Sequence, residues 1–474
     1  MNDAPQKDFF IKKCAVGFDH WSRRYPVGFR PLRSINWIIL GLMYASFYML
    51  RYNFRWAAPG MEAEFGFKHT QITSILSAWS IAYGTGQLIN GLFCDRIGGR
   101  TSMVIGATGT IIVNLVFGFA SFAGTFATFA LIWLINGYFQ SFGAPGMIKI
   151  NAAWVNRSVR GTFAGIFGFM IQLGQVAINN LAPILLAGFT IGAWVVAKND
   201  WRWLFRVPPI VTAVMAILVA FVPHETPEDA GYHGCIKDES DSSKGEETSV
   251  RVSIAESFRT IFRHPLVWFY AIAYACTGAV RHSSDQLSVL FFTQYLHLDL
   301  SAKPPSVAWT MNIVPLIAVL GSFISGVVSD KIFRGHRSPV AMWLYFILAV
   351  VCASAALMMW AGFFAPGGMG IFLSCLFLIL VSFSVNATHS LVGTAAPMDI
   401  GGQRMAGFAS GVIDSFQYYG AAIVLPVTGV LLDKYGWGAW YPTMVIFGII
   451  GGCAMLFVKR KQRLIKAKAA EAIP

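Results

Sequence analysis

Apolar runs of bilayer-spanning length follow one another from Ser34 to about Val458. About twelve can be counted, at 34–58, 70–94, 102–122, 125–149, 162–190 and 205–223, then 264–297, 306–328, 339–362, 369–396, 405–432 and 439–458. About twenty residues of helix cross a hydrocarbon core. In lipid the backbone must satisfy its own hydrogen bonds, which helices do within a single segment. The pattern therefore predicts an all-α membrane protein of about twelve transmembrane helices. One long polar stretch, His224–Arg263, is rich in Glu, Asp, Lys and Ser and divides the runs six and six. It reads as a linker between two bundles. The expected organisation is a tail (1–33), a six-helix bundle (34–223), the linker (224–263), a second six-helix bundle (264–458) and a second tail (459–474).

Composition agrees. Of 474 residues, 55% are hydrophobic and 12% charged, about half the charge of a soluble chain. The mean hydropathy is +0.57. A net charge of +13 would suggest nucleic acid in a soluble protein, but here much of it sits in short loops and tails and reads as topology. No nucleic-acid partner is expected. Lys12, Lys13, Arg23, Arg24, Arg30 and Arg33 precede the first span. Arg96 and Arg100 follow the second, Arg157 and Arg160 the fourth, Lys331, Arg334 and Arg337 the eighth, and Lys459, Arg460, Lys461 and Arg463 the last. If the spans alternate, all of these lie on one side, which puts both termini in the cytoplasm. No cleavable leader is visible, and Phe18–Phe29 reads as an interfacial amphipathic piece. The seven cysteines are scattered with no metal-site or disulfide spacing. No phosphate-binding Gly-rich loop and no hydrolase or transferase constellation is present, so neither an enzyme nor an ATP-driven pump is expected, and no cofactor.

The most informative stretch is Tyr44-Ala-Ser-Phe-Tyr48-Met-Leu-Arg51-Tyr-Asn-Phe-Arg55 in the first span. Tyr44, Tyr48, Arg51 and Arg55 fall on one helical stripe. An arginine at membrane depth marks a functional site by default, and guanidinium grips phosphate or carboxylate in a bidentate fork. Snorkelling, or pairing with a buried carboxylate, is the plainer alternative. On span two Tyr83, Gln87 and Asn90 share a face. Asn136 and Gln140 lie one turn apart on span four, with Lys149 near its end. Gln172, Gln175 and Asn179 share a face of span five. These polar faces read as cavity lining or as interhelical hydrogen bonds, and Lys149 as a cavity cation or a helix-end cation. The second half carries Arg281, His282 and Asp285, Asn312, Asn386 and His389, and Asp414, Gln417 and Tyr418. Arg281 and Asp285, four apart, could simply pair with each other. Asp285, His389 and Asp414 are candidate proton carriers, because their charge can be removed.

An internal repeat is legible. Gly91-Leu-Phe-Cys-Asp95-Arg96-Ile-Gly-Gly-Arg100 ends the second span, and Gly326-Val-Val-Ser-Asp330-Lys331-Ile-Phe-Arg334 ends the eighth, at the same place in the other half. Trp201-Arg-Trp203 similarly answers Trp437-Gly-Ala-Trp440. Parallel repeats about an axis along the membrane normal are implied. Asp95, Arg96, Arg100, Asp330 and Lys331 are expected to act in gating, by locking helix ends through charge pairs and dipoles.

The Gly91…Asp95-Arg96…Arg100 loop resembles the signature loop of the major facilitator superfamily. Within it the chain is similar to the organophosphate:inorganic phosphate antiporters, the glycerol-phosphate and hexose-phosphate carriers. The matching stretches are Tyr44…Tyr48…Arg51-x-Asn53-Phe54, Ile81-Ala-Tyr83-Gly84, Asn136-Gly137-x-Phe139-Gln140-x-x-Gly143-x-Pro145, Arg160-Gly161 and Ser329-Asp-Lys-x-Phe-Arg-Gly-x-Arg337, with Arg281 thirteen residues after Trp268. The resemblance covers nearly the whole membrane region. It implies two pseudo-symmetric six-helix halves and a phosphate gripped by Arg51 and Arg281, one from each half. It also implies exchange of a sugar or glycerol phosphate for inorganic phosphate by a monomer in the bacterial inner (plasma) membrane. The departures are specific. The family's lysine after Ala-Tyr-Gly is Gln87, its span-five histidine and the asparagine after it fall at Ile171 and Gln172, and its span-eight glutamate falls at Pro315. A proton-coupled symporter of another organic anion and a sugar-phosphate-sensing receptor are the alternatives.

Overall fold

The computed structural model describes residues 12–13, 25–119, 124–155, 160–191, 194–236, 263, 265–334 and 336–471; the amphipathic piece expected at 18–29 and the linker lie largely outside this set. Helices account for nearly all of it. They are α1 (Phe29–Phe65), α2 (His69–Ile97), α3 (Gly99–Phe119), α4 (Phe126–Gln140), α5 (Gly143–Trp154), α6 (Arg160–Leu186), α7 (Trp203–Arg206), α8 (Pro208–Phe221), α9 (Pro265–Leu290), α10 (Pro305–Lys331), α11 (Arg337–Trp360), α12 (Gly368–Tyr435) and α13 (Trp440–Glu471). The fourth expected span is two helices, α4 and α5, broken at Ser141–Phe142. The tenth and eleventh spans, Gly368–Gly393 and Gly411–Tyr435, both fall inside the helical assignment of α12. With these adjustments the twelve spans of the apolar pattern are recovered.

Small residues set the helix crossings. In membranes helix contact relies on close packing rather than on a hydrophobic drive, so glycine lets backbones approach. A Cβ at Gly174 on α6 would collide with the Ala45 carbonyl of α1, and one at Gly278 on α9 with the Gln417 carbonyl of α12. Spans one and five in one half thus meet as spans seven and eleven do in the other, the pseudo-symmetry the repeat implied.

Described parts of the first tail and of the linker pack against the first half. The first tail helps to build α1, whose helix starts at Phe29 after a left-handed Gly28 (φ 88°). Lys12–Lys13 (β1) pairs in parallel with Tyr232–His233 (β4). The start of the linker is fastened to the first half: Asn36 Nδ2 and Trp154 Nε1 both donate to the His224 carbonyl, at 3.1 and 2.9 Å. Tyr232 Oη donates to the Val27 carbonyl. Cys235 is disulfide-bonded, a link that the scattered cysteine positions gave no hint of. A short hairpin, Phe189–Ile191 (β2) and Trp194–Val196 (β3), follows α6.

Candidate functional site

Arg51 is buried in the middle of α1, only 3% exposed. Its Nε donates to Gln140 Oε1 of α4 at 3.1 Å. Its guanidinium lies over the rings of Tyr48, Trp79 and Tyr83, at 4.8, 4.7 and 4.5 Å. The face that carries Tyr83 and Gln87 on α2 also carries Trp79, one turn earlier, so α2 supplies two walls of this cage. Tyr44 Oη is 3.2 Å from Tyr83 Oη, and Gln87 Nε2 donates to the same hydroxyl at 3.5 Å. Aromatic faces offset part of the cost of a buried cation. The hydrogen bonding is nonetheless incomplete. Arginine can only donate, so Gln140 turns its oxygen to Arg51, and this leaves the Gln140 Nε2 donor buried without a partner, as is Arg51 Nη2.

Arg281 comes from the other half, on α9. It lines a cavity of about 810 Å³ whose walls also include Tyr48, Gln172, Tyr274, Asn386 and His389. Arg281 Nη1 is 3.5 Å from His389 Nε2, and His389 Nδ1 is 2.9 Å from Tyr274 Oη. Asp414 accepts from Gln417 Nε2 at 2.8 Å, with Gln87 and Tyr274 nearby. The cavity occupies the parts of α6, α9, α10 and α12 nearest the tails, from Gly168 and Tyr274 to Phe323 and Gly393. Arg51 is not among the residues lining this cavity, whereas Tyr48, over whose ring its guanidinium lies, is. The two arginines thus occupy one region from opposite halves, but only Arg281 borders the open cavity.

Arg281 and Asp285 do not pair; among the described residues no ion pair within 4 Å joins them. Asp285 instead accepts from Tyr52 Oη at 3.2 Å, and its backbone carbonyl accepts from Arg55 Nη1 at 3.0 Å. Arg55 Nη2 also donates to Asn179 Oδ1, whose own amide donates to the Met311 carbonyl. Arg55 is therefore a strut between α1 and the second half. Lys149 stands apart from the cavity. Its ammonium donates to the Cys94 and Asp95 carbonyls at 2.9 and 3.1 Å, the position of a helix-end cation on α2. Asn136 bonds Asn114 and the Leu50 carbonyl and serves helix packing.

The gating candidates are split. Arg100 donates from Nη1 to the Pro223 carbonyl and from its backbone to Glu225, so it ties α3 to the chain after α8. Asp95, Arg96, Asp330 and Lys331 are exposed and form no ion pair among the described residues. The opposite end is closed by contacts between the halves. His69 and Thr70 of α2 bond Asp433 of α12, His69 also reaches Gln294, and Lys198 pairs with Asp299 at 2.7 Å. Trp79, Tyr52, Tyr274, His69 and Asp433 join these networks in the structure without having stood out as site residues in the sequence. Only Trp79 carried a signal, through its helical register with Tyr83.

Comparison with known proteins fits this architecture. The family model for the Major Facilitator Superfamily matches residues 40–424. The glycerol-3-phosphate transporter of Bacillus subtilis is 25% identical over 422 residues, covering 88% of this chain and 90% of that one. A Chlamydia trachomatis protein named "Probable hexose phosphate transport protein" is 26% identical over 86% of this chain and 87% of its own length. The membrane sensor protein UhpC of Escherichia coli is 24% identical over 89% and 90%. Among solved structures, an inward-facing, unoccupied bacterial homologue of the human lysosomal transporter Spinster superposes with a TM-score of 0.67 at 15% identity, covering 90% of this chain and 96% of that one. By sequence model and by fold, this chain belongs to the Major Facilitator Superfamily.

Proposed function

We propose that the protein is a secondary transporter of a phosphorylated organic anion of the sugar phosphate or glycerol phosphate class, exchanged for inorganic phosphate as the two halves rock about a central site. Both tails then lie in the cytoplasm and the cavity opens inward. The observation that carries this reading is the pair of buried donors without partners, Arg51 Nη2 and Gln140 Nε2, in the same region as Arg281. A buried unpaired donor costs about 1–3 kcal/mol. An acceptor-rich anion removes that cost, and phosphate, with its several oxygens and bidentate match to guanidinium, does so best. The named substrates of the relatives point the same way.

Proton-coupled uptake of an organic anion is the second reading. It is favoured by His389 at 3.5 Å from Arg281 and by Asp414 close to Tyr274. The experiment uses proteoliposomes loaded with phosphate or left empty, with and without an inward proton gradient. Phosphate-dependent uptake of an organic phosphate that ignores the gradient supports exchange. Gradient-driven uptake into phosphate-free vesicles, lost in Asp414→Asn or His389→Gln, supports symport. Binding without flux in either arm would make the chain a sensor.

A further inference from the structure

At the end of the molecule away from the tails, four side chains form a line across the two halves. Asp433 of α12 accepts from His69 Nδ1 at 2.9 Å; His69 Nε2 lies 2.7 Å from Gln294 Oε1; and the Gln294 amide nitrogen meets Glu62 Oε2 of α1. Asp433 also receives the backbone N–H groups of His69 and Thr70, at 2.9 and 3.0 Å, and the Thr70 hydroxyl at 2.5 Å. With four donors converging on it, Asp433 is a carboxylate and must be served by Nδ1–H of His69. The remaining members can then be counted.

If His69 is neutral, its Nε2 is an acceptor. If Glu62 is ionised, it is an acceptor too. Gln294 stands between these two acceptors with one oxygen and one amino group at opposite corners. Whichever way its amide is turned, oxygen faces an acceptor on one side. The line closes only when one more proton is present. Either His69 is the imidazolium and gives Nε2–H to Gln294 Oε1, or Glu62 is a carboxylic acid and gives O–H to Gln294 Oε1 while the Gln294 amino group serves His69 Nε2. In the second arrangement the lone carboxyl oxygen, Glu62 Oε1, which is buried and without a partner, is a neutral carbonyl rather than half of a carboxylate.

We infer that closing this outer latch binds one proton, shared by Glu62, His69 and Gln294, and that the proton is released when the halves part on this side. The titratable groups facing one another here are Glu62, His69 and Asp433. Glu64 is engaged by Arg202, and Lys198 by Asp299, elsewhere on the same end. The latch belongs to the gate and not to the anion site, so it operates whichever anion is carried. It supplies a proton-linked step in a chain whose central site can work by exchange alone.

Spin labels at Lys68 and Ala361, exposed at this end on the two halves, read the latch directly in ligand-free protein, in a background with the exposed Cys453 replaced by Ser. Between pH 5.5 and 8.5 the ratio of closed to open distances should fall with rising pH, by up to tenfold per pH unit for a single linked proton. Glu62→Gln supplies the missing donor permanently. Its amide gives N–H to Gln294 Oε1 beside a neutral His69, so the closed fraction should stay high at pH 8.5 and lose its pH dependence. Asp433→Asn should favour the open state at every pH. A flat wild-type profile, or a Glu62→Gln profile that tracks the wild type, overturns the inference. Neither outcome depends on substrate, so a failure here is separable from a failure of phosphate-dependent uptake.

Discussion

Replacing Arg51 by Met tests whether this arginine is held for the ligand or for the fold. In the ligand-free state its charge is removed from water, which costs several kcal/mol even after relaxation. Offsetting this are one charge-assisted hydrogen bond to Gln140, about 1.5–3 kcal/mol, and three ring faces at 4.5–4.8 Å, about 0.5–2 kcal/mol each. No carboxylate pairs with it among the described residues, and Nη2 adds the cost of a buried, unpaired donor. The terms nearly cancel. Met fills a similar volume with nothing to desolvate, and the Gln140 amide is freed to turn. Arg51→Met should therefore melt at the wild-type temperature or a few degrees above it, in detergent without ligand. With organic phosphate added, the wild type should gain thermal stability by mass action and the variant should not. Loss of one bidentate charge-assisted contact, about 1.5–3 kcal/mol, corresponds to about ten- to over a hundredfold in Kd. Arg51→Lys keeps the charge but not the fork, and should lose most of this affinity as well. The reasoning is refuted if Arg51→Met is several kcal/mol less stable than the wild type while ligand affinity and uptake stay within twofold.

Adding a methyl group at Gly278, against the Gln417 carbonyl, should cost about 1–3 kcal/mol and lower the yield of monodisperse protein, whereas Gly91→Ala, with open space around it, should be neutral. The Lys198 hydrogen bond, helped by Ser301, holds the Asp299 carboxyl at about 2, below an ordinary Asp near 3.9. Its depressed folded-state value means that the stabilisation is fully present above about pH 4 and is lost as the pH falls through the folded value. Because both partners are half-exposed, Asp299→Asn should cost no more than about 0.2–1 kcal/mol near neutral pH, measured by thermal melting. Asp95→Asn should shift the balance between inward- and outward-open states, read by labels across the tail-side mouth, with ligand selectivity unchanged; altered selectivity at an unchanged balance would contradict a gating role.

The fold was legible because membrane helices announce themselves by length and apolarity, and because the Asp95 and Asp330 loops repeat at the same place in each half. Helix ends were less so. Residues 29–33 read as polar tail, yet they form the first turn of α1, because Phe29 packs against Trp154 and Tyr232. The break at Ser141–Phe142 lies inside a stretch counted as one span, although Gly143 and Pro145 just after it are breaker residues. Arg51, Tyr83, Gln87 and Gln140, singled out in the sequence by membrane depth, helical stripes and resemblance, do lie together in the structure, since one helical face suffices to group residues of one span. Partnerships between spans could not be read that way. Asp285 sits one turn from Arg281 in sequence but meets Tyr52 and Arg55 from the other half, and Lys149 turns to the end of α2. The latch was invisible for the same reason: Glu62, His69, Gln294 and Asp433 come from α1, α2, the turn that follows α9 (Phe291–Tyr295) and α12, and each alone looks like an ordinary residue at a span end.

Tyr48 decides how the two arginines can act together. Tyr48 lines the cavity, and the Arg51 guanidinium lies over its ring at 4.8 Å. If the cavity is the anion's way in, an anion arriving from the tail side would meet Arg281 first, because of the two arginines it is the one that lines this cavity. To be shared with Arg51 it must displace the Tyr48 ring or approach its edge, where the hydroxyl can donate to a phosphoryl oxygen. The exchange of one cation–π face for a charge-assisted contact is favourable on magnitude, about 0.5–2 kcal/mol given up against about 1.5–3 gained. On the proposed function, Tyr48 would act as a cover that yields to the ligand, and the first half would engage only after the second. Removing the cover, in Tyr48→Ala, should leave Arg51 open to water and allow weak, unselective anion binding. Sulfate and inorganic phosphate should then compete more nearly equally with an organic phosphate, and counterflow should become leaky. Tyr48→Phe keeps the cover but loses the hydroxyl, so it should weaken binding by a few-fold without leak. Competition binding and proteoliposome efflux measure both quantities. If Tyr48→Ala retains wild-type selectivity and tight coupling, Arg51 is reached by another route and the order of engagement is wrong.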